Sequence, residues 1–215
     1  MNECLVFIKP DAFLRKGIGA TILQDFLNNE DFSIIAFKEV QVSDDLAKIH
    51  YQEHEGKHFF PWLVKAIRAS PVLVMIIQGE IQKIREFLGA TFVQKANPQT
   101  IRGKYGIWGG INSVHASDSS ESGLRELDLW RNKADLQKDY EAPKKIQKYI
   151  KKWVNYSKTN NTIKLRELCK KLADKKITKE QLFEQLEVLL KEDCPFTDSK
   201  TLENFANIVI ENILL

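Results

Sequence analysis

Apolar residues recur along this chain in two rhythms. In the first the runs are short, β-branched and aromatic: Cys4 to Lys9, Phe32 to Val42, Val72 to Gln78 and Ile111 to Val114 predict strands. Between them, Gly17 to Asn29 and Ser43 to His54 carry apolar residues at helical spacing, and Ser43 is placed to cap a helix whose face holds Leu46, Ile49 and His50. Strands and helices alternating through short connections predict an α/β (α+β) layered fold, of which a split βαβ sheet of ferredoxin-like type is one form. In the second rhythm only the helical period remains, over Pro143 to Tyr156, Ile163 to Ala173, Thr178 to Lys191 and Thr201 to Leu214. Thr178 and Gln181 form a capping-box pair, and Leu182, Phe183, Leu186, Leu189 and Leu190 follow as a stripe to be buried.

Composition sharpens this division. All ten glycines lie at or before Gly123. Residues 136–215 hold 16 Lys+Arg against 12 Asp+Glu, so the net charge of +3 originates there. The change predicts two units, 1–135 and an all-α 136–215, meeting between Asn132 and Ala142. The longest apolar run, Val72 to Ile77, falls far short of the roughly 20 residues that cross a bilayer, and no basic leader pattern opens the sequence. Three cysteines, Cys4, Cys169 and Cys194, with no Cys-x-x-Cys pair, point to neither a disulfide framework nor a zinc site. A cytoplasmic location is expected.

Several constellations could carry chemistry. Lys9-Pro10-Asp11 puts an ammonium on a rigid turn at the end of the first strand, and Arg102-Gly103 sets a guanidinium, whose fork suits phosphate, in a loop. Asn112 to Ser122 is richer. There His115 follows a short strand and precedes a helix expected to be capped by Asp118, with Glu121 at its third position. An imidazole attacks phosphorus when one nitrogen keeps its lone pair and the other is held by an acceptor, a role open to Glu126 with support from Ser117. His50, His54 and His58 stand at intervals of four, yet Gly56 should end the helix before His58, so partly exposed histidines at a helix end are expected in preference to a metal site. Phe59 beside them offers a ring for stacking. From Lys144 to Lys179 there are 13 Lys+Arg against Glu167 and Asp174, with Tyr149, Trp153 and Tyr156 interleaved. A solvated lysine-rich face is the first expectation for that stretch, and a face that tracks nucleic acid or an anionic membrane surface the second.

Read together, Phe7-Ile-Lys9-Pro10-Asp11, His50-Tyr51-x-x-His54-x-Gly56-Lys57-x-Phe59-Phe60-Pro61, Ser70-Pro71-Val72, Thr100-Ile-Arg102-Gly103 and Asn112-x-x-His115-x-Ser117-Asp118-Ser119-x-Glu121-Ser122 resemble nucleoside diphosphate kinase, over about residues 3 to 130. The resemblance implies a ferredoxin-like βαββαβ sandwich with the helices beyond it as an extension. It implies ping-pong transfer of the γ-phosphoryl group of ATP or another nucleoside triphosphate to a nucleoside diphosphate. By the same resemblance His115 is the phosphorylated nucleophile, Glu126 and Ser117 orient it, and Tyr51 lies near the phosphohistidine. Lys9, Arg85, Thr91 and Arg102 would hold the phosphates, Asn112 and Lys9 would meet the sugar, and Phe59 would stack on the base. Mg²⁺ would arrive on the nucleotide phosphates, and a homo-oligomer is implied.

The sequence also departs from the family pattern. Thr91-Phe92-Val93 and Pro98-Gln99 alter a loop that helps build subunit contacts; Lys104 replaces an aspartate; Gly109 stands where an apolar side chain covers the far face of the base; and Ala116 replaces a glycine. Trp108 is the residue expected to compensate at the base. The competing reading is a nucleotide-binding or scaffold module of low activity, working through its helical part. Residues from about 143 onward are expected to serve assembly or partner binding, and not phosphoryl transfer, because their apolar stripes need a surface to cover them.

Overall fold

The computed structural model describes residues 2–155 and 159–215. The chain runs β1 (Asn2–Ile8), α1 (Pro10–Leu14), α2 (Lys16–Leu27), β2 (Ser33–Val40), α3 (Asp44–His50), α4 (Phe60–Ile67), β3 (Val72–Gly79), α5 (Ile81–Leu88), α6 (Ile101–Tyr105), β4 (Val114–Ala116) and α7 (Ser120–Ala134). Four helices follow: α8 (Ala142–Trp153), α9 (Thr162–Ala173), α10 (Lys179–Asp193) and α11 (Ser199–Leu214). The strands form one antiparallel sheet in the order β2-β3-β1-β4, the ferredoxin-like arrangement. Tyr156, predicted to end the first C-terminal helix, lies outside the described residues.

Alternation explains the central strands. In β3, Leu73, Met75 and Ile77 face one core with Cys4, Val6 and Ile8 of β1, while Val72, Val74 and Ile76 face a second core with Leu5 and Phe7. Both faces are covered, so β3 reads as an unbroken apolar run and not as an alternating one. The first core receives α2, α5 and Ile146 of α8. The second receives Leu46 of α3, Val64 of α4, and Leu127 and Trp130 of α7.

A third core joins the C-terminal helices to the sandwich. Leu165, Leu168, Leu182, Leu186, Leu190 and Phe205 pack together with Leu14, Trp62, Ile107 and Ile111. The predicted stripe of α10 therefore has its cover within the chain: Leu182, Leu186 and Leu190 are buried, and Phe183 and Leu189 pack on the core partly exposed. Polar bolts reinforce the junction. The guanidinium of Arg15, 1% exposed, donates to the carbonyls of Asp11 (2.9 Å) and Tyr105 (2.7 Å) and to Thr162 Oγ1 (2.8 Å) at the start of α9. Arg166 of α9 donates to the carbonyl of Gly106 at 2.7 Å, satisfying a group just past the end of α6.

Two local expectations need correction. The last strand is not Ile111 to Val114: Ile111 makes only an isolated bridge to Trp108, and Ser113, at φ 72, turns the chain before β4 begins at Val114. That left-handed turn is held by Ser113 Oγ, which donates to the buried Asp11 carboxylate at 3.0 Å. The cap of α7 is Ser119, in a reciprocal box with Ser122, and not Asp118; Glu121 is thereby the second helical residue. Asp118 is engaged instead by Arg85.

Candidate active site

The cleft opens at the ends of β1 and β4, where the sheet sets its residues in register. His115 pairs directly with Phe7 across β1 and β4, and their rings stack at 4.6 Å with 15° between planes. Trp130 stacks on the other side of Phe7 at 5.3 Å, so the imidazole rests on a two-ring support from the second core. His115 Nε2 lies 3.0 Å from Glu126 Oε2, which also accepts from Ser117 Oγ at 2.7 Å. With Nε2–H donated to the carboxylate, the lone pair belongs to Nδ1. Burial alone would raise the Glu126 carboxyl, but the charge and hydrogen bond of His115, His50 nearby and the Ser117 hydroxyl outweigh it and hold the group down to about 2. It stays an anion through the working range.

His50, expected with His54 and His58 to be partly exposed at a helix end, is instead buried, 2% exposed, beside His115. Its ring is 4.8 Å from that of His115, and its Nδ1 accepts from the indole N–H of Trp130 at 3.3 Å. Burial, with the charges of His115, Arg125 and Lys9 in the same direction, lowers its pKa to about 3, so it packs as a neutral ring. Among the described residues His50, His115 and Glu126 form the group that could hold a metal, with His54 and His58 outside it. Two imidazoles and one carboxylate do not make the all-oxygen set that Mg²⁺ prefers.

Cations face His115 from two elements, Lys9 just past the end of β1 and Arg102, expected in a loop, in the first turn of α6. The Lys9 ammonium donates to Asn112 Oδ1 (2.9 Å) and to the Gly110 carbonyl (2.8 Å); burial, reinforced by Arg102 and opposed by Asp11, lowers its pKa to about 8. Arg102 spends three donors on the carbonyls of Gly89 and Val114, leaving the other two of its five N–H groups for the cleft. A Cβ on Gly103 would lie 1.9 Å from the Asn97 carbonyl oxygen, so only glycine lets the start of α6 press Arg102 into place. Asn112 completes the frame by donating from Nδ2 to the Thr91 carbonyl at 2.6 Å. Lys9, Tyr51, Thr91, Arg102, Asn112, His115 and Glu126 thus line one cavity of about 160 Å³. Ser117 and Arg85 stand behind it, Ser117 through Glu126 and Arg85 through Asp118.

An apolar slot of about 540 Å³ adjoins that cavity, sharing His54, Leu63, Thr91 and Gly110 with it. Phe59, at the start of α4, and Trp62, Phe92 and Trp108 form its walls. A polar compartment that ends in an imidazole and opens into an aromatic slot has the outline of a phosphorylated, flat-ringed molecule.

Comparison with known proteins decides between the readings of this outline. A family model described as nucleoside diphosphate kinase matches residues 2–136. The chain belongs to the nucleoside diphosphate kinase family. Among relatives, the nucleoside diphosphate kinase of Staphylococcus epidermidis is 38% identical over 146 residues, 67% of this chain and 96% of that protein. The corresponding protein of Methanothermobacter thermautotrophicus is 41% identical, over 66% of this chain and 95% of its own. Among solved structures, the halophilic nucleoside diphosphate kinase of Halobacterium salinarum in complex with CDP superposes with a TM-score of 0.59 at 32% identity, covering 68% of this chain and 99% of its own. The Encephalitozoon cuniculi nucleoside diphosphate kinase gives 0.59 at 31% identity, with 67% and 98% covered. With family membership comes phosphotransferase activity.

Against that family background, the departures acquire positions. Lys104 turns away from the cleft toward Asp25 of α2, 3.9 Å distant, so it does not line the cavity. Ala116 is a strand residue paired with Val6, where no glycine is required. The altered loop forms a short 3-10 turn at Val93–Lys95 and leaves Phe92 57% exposed on the slot. Gly109 has φ 50, and the space beside it is filled by Asn212 of α11. That last residue had no signal in the sequence, being a polar position near the end of an amphipathic helix more than a hundred residues away.

Proposed function

We propose that this chain transfers the γ-phosphoryl group of a nucleoside triphosphate to a nucleoside diphosphate through a phosphohistidine at Nδ1 of His115. The observation that carries the proposal is the His115, Glu126 and Ser117 chain, which leaves Nδ1 with its lone pair in a cleft lined by Lys9 and Arg102. In the first half-reaction the Nδ1 lone pair forms a bond to Pγ as the bond from Pγ to the β-bridging oxygen breaks, its electron pair leaving on the nucleoside diphosphate. Glu126 keeps its hydrogen bond to Nε2–H and offsets the positive charge that grows on the ring. Lys9 and Arg102 face the charge spread over the equatorial oxygens of a loose transition state. The second half-reaction is the reverse, onto a different diphosphate.

Phe59 is assigned to the base, Asn112 and Lys9 to the sugar, Thr91 and Arg85 to the outer phosphates, and Tyr51 to the wall beside the phosphohistidine. Mg²⁺ supplies phosphate charge neutralisation. The cleft carboxylates Glu126, Asp118 and Glu53 are already committed to His115, Arg85 and Arg125, which fits an ion that enters on the nucleotide and not one resident in the protein. Three buried free thiols agree with a reducing, cytoplasmic setting. Incubation with γ-labelled ATP and Mg²⁺ is expected to give an acid-labile phosphoprotein that empties onto added diphosphate, and His115→Ala is expected to abolish both events. Retention of labelling by that variant would refute the mechanism.

A further inference from the structure

The aromatic slot is closed by a part of the chain that lies beyond the family match over residues 2–136. Asn212 and Leu215, from the last turn of α11 and beyond, line it together with the loop of Trp108, Gly109 and Gly110. The helix is fixed there by α4, the element that carries Phe59 at its N-terminal end. The indole N–H of Trp62 donates to the Ile208 carbonyl at 2.9 Å, and Lys65 pairs with Glu211. Asn212 follows Ile208 by one helical turn and faces the same way.

Gly109 and Asn212 occupy one space between them. A Cβ at position 109 would come within 2.6 Å of Asn212 Oδ1, so the side chain that the family pattern places at this point and the Asn212 amide exclude each other. The amide orientation is set by its partner: Gly110 N–H donates to Oδ1 at 3.1 Å, which turns the NH₂ group away from the backbone. Gln94 repeats the arrangement beside it, its Oε1 accepting from Gly109 N–H at 3.2 Å. Two carboxamides on the slot thus have their oxygens committed to successive glycine N–H groups. Among the described residues neither NH₂ group has an acceptor.

We infer that the C-terminal helix forms one wall of the nucleobase slot, and that Asn212 is a specificity-determining residue favouring bases with a carbonyl at purine C6 or pyrimidine C4, guanine and uracil, over those with an amino group at that position, adenine and cytosine. This rests on the phosphotransfer reading above. A base stacked on Phe59 with its purine C6 or pyrimidine C4 edge toward α11 meets amide donors. A carbonyl there accepts a hydrogen bond, whereas an amino group sets N–H against N–H and leaves both unpaired. One net hydrogen bond corresponds to roughly 3- to 10-fold in rate constant for capture.

The test is the second-order rate of His115 phosphorylation by GTP, UTP, ATP and CTP in the full chain, each scaled to phosphoramidate, a phosphoryl donor with no base. Wild type is expected to favour GTP and UTP by about 3- to 10-fold. Asn212→Ala should bring the four nucleotides to near equality. Asn212→Asp keeps an oxygen for Gly110 N–H and replaces the NH₂ group by an acceptor, so it should reverse the order toward ATP and CTP. A base ratio that neither variant moves overturns the assignment of Asn212 while leaving the phosphotransfer reading intact. A wild-type protein that forms no phosphohistidine even from phosphoramidate overturns that reading and the slot with it.

Discussion

At the scale of single residues, the cleft depends on groups held away from their ordinary ionisation. Lys9 is the one with a consequence near neutral pH. Its pKa is lowered to about 8, chiefly by burial, so the ammonium proposed to face the phosphates is charged below that value and lost above it. The rate constant kcat/KM, which reports the free enzyme, is therefore expected to fall as pH rises through about 8. Lys9→Arg, with a guanidinium that stays charged, should carry that basic limb at least one unit upward, roughly, at reduced overall rate. A wild-type profile flat to pH 9.5 would show that Lys9 stays protonated, and the argument from burial would fail. Glu126 works at the other limit, ionised down to about pH 2, so its contribution is charge and not proton transfer. Glu126→Gln preserves the shape and an acceptor for Nε2–H but removes the charge. A loss of about two orders of magnitude in phosphoenzyme formation is expected, against about one for Ser117→Ala, which only frees the carboxylate to rotate.

At the scale of elements, what was legible depended on how local its cause was. β1 and β3 could be read because both faces are buried and the apolar runs are continuous; α10 could be read because Thr178, Gln181 and the leucine stripe all lie within a few turns. The site motifs were legible as short local patterns, although their settings differ: Lys9 follows β1, Arg102 lies in the first turn of α6, Asn112 stands in the loop before β4 and His115 within β4. Where a distant partner decides, sequence alone misplaced or missed the feature. Ser113 ends the extended run because Asp11 holds its hydroxyl, and the base slot is finished by α11. The basic stretch changes for that reason too, since Tyr149 turns inward onto Phe37 and Lys145 pairs with Asp139, while Tyr156 and Lys158 lie outside the described residues. Arg15 is the sharpest such case, a lysine-or-arginine position in sequence and a buried bolt in the fold. Its guanidinium lies 3.8 Å from Asp11 and 4.0 Å from Asp193, two acids whose pKa values burial raises. Arg15→Met would strand both carboxylates, with a loss of about 3 to 5 kcal/mol expected from denaturant midpoints near pH 7. The deficit should shrink as pH falls, because the stranded acids then take up protons. A deficit under about 1 kcal/mol at pH 7 would show that the bolt is not structural.

At the scale of the whole molecule, the question is whether residues beyond the family match are an ornament or part of the fold. Leu14, Trp62, Ile107 and Ile111 belong to the matched segment, yet each is under a tenth exposed because α9, α10 and α11 cover it. Uncovering a large apolar side chain costs roughly 1.5 to 3 kcal/mol, so four amount to roughly 6 to 12 kcal/mol at the upper bound. Whole domains are stable by about 5 to 15 kcal/mol. The comparison decides against independence, although the phosphate cleft itself draws every side chain from before residue 136. We therefore expect a chain ended after Leu136 to be soluble poorly or not at all, and to bind a hydrophobic dye. Co-expression of residues 137–215 as a separate polypeptide is expected to restore soluble protein and phosphohistidine formation, because the missing contribution is a covering surface and not a catalytic group. Size-exclusion with light scattering on the full chain and on the split pair would read the oligomeric state in the same experiment. A truncated protein that is monodisperse, melts where the full chain melts and discriminates bases identically would show that the helices cover nothing essential, and both the shared core and the wall of the base slot would have to be given up.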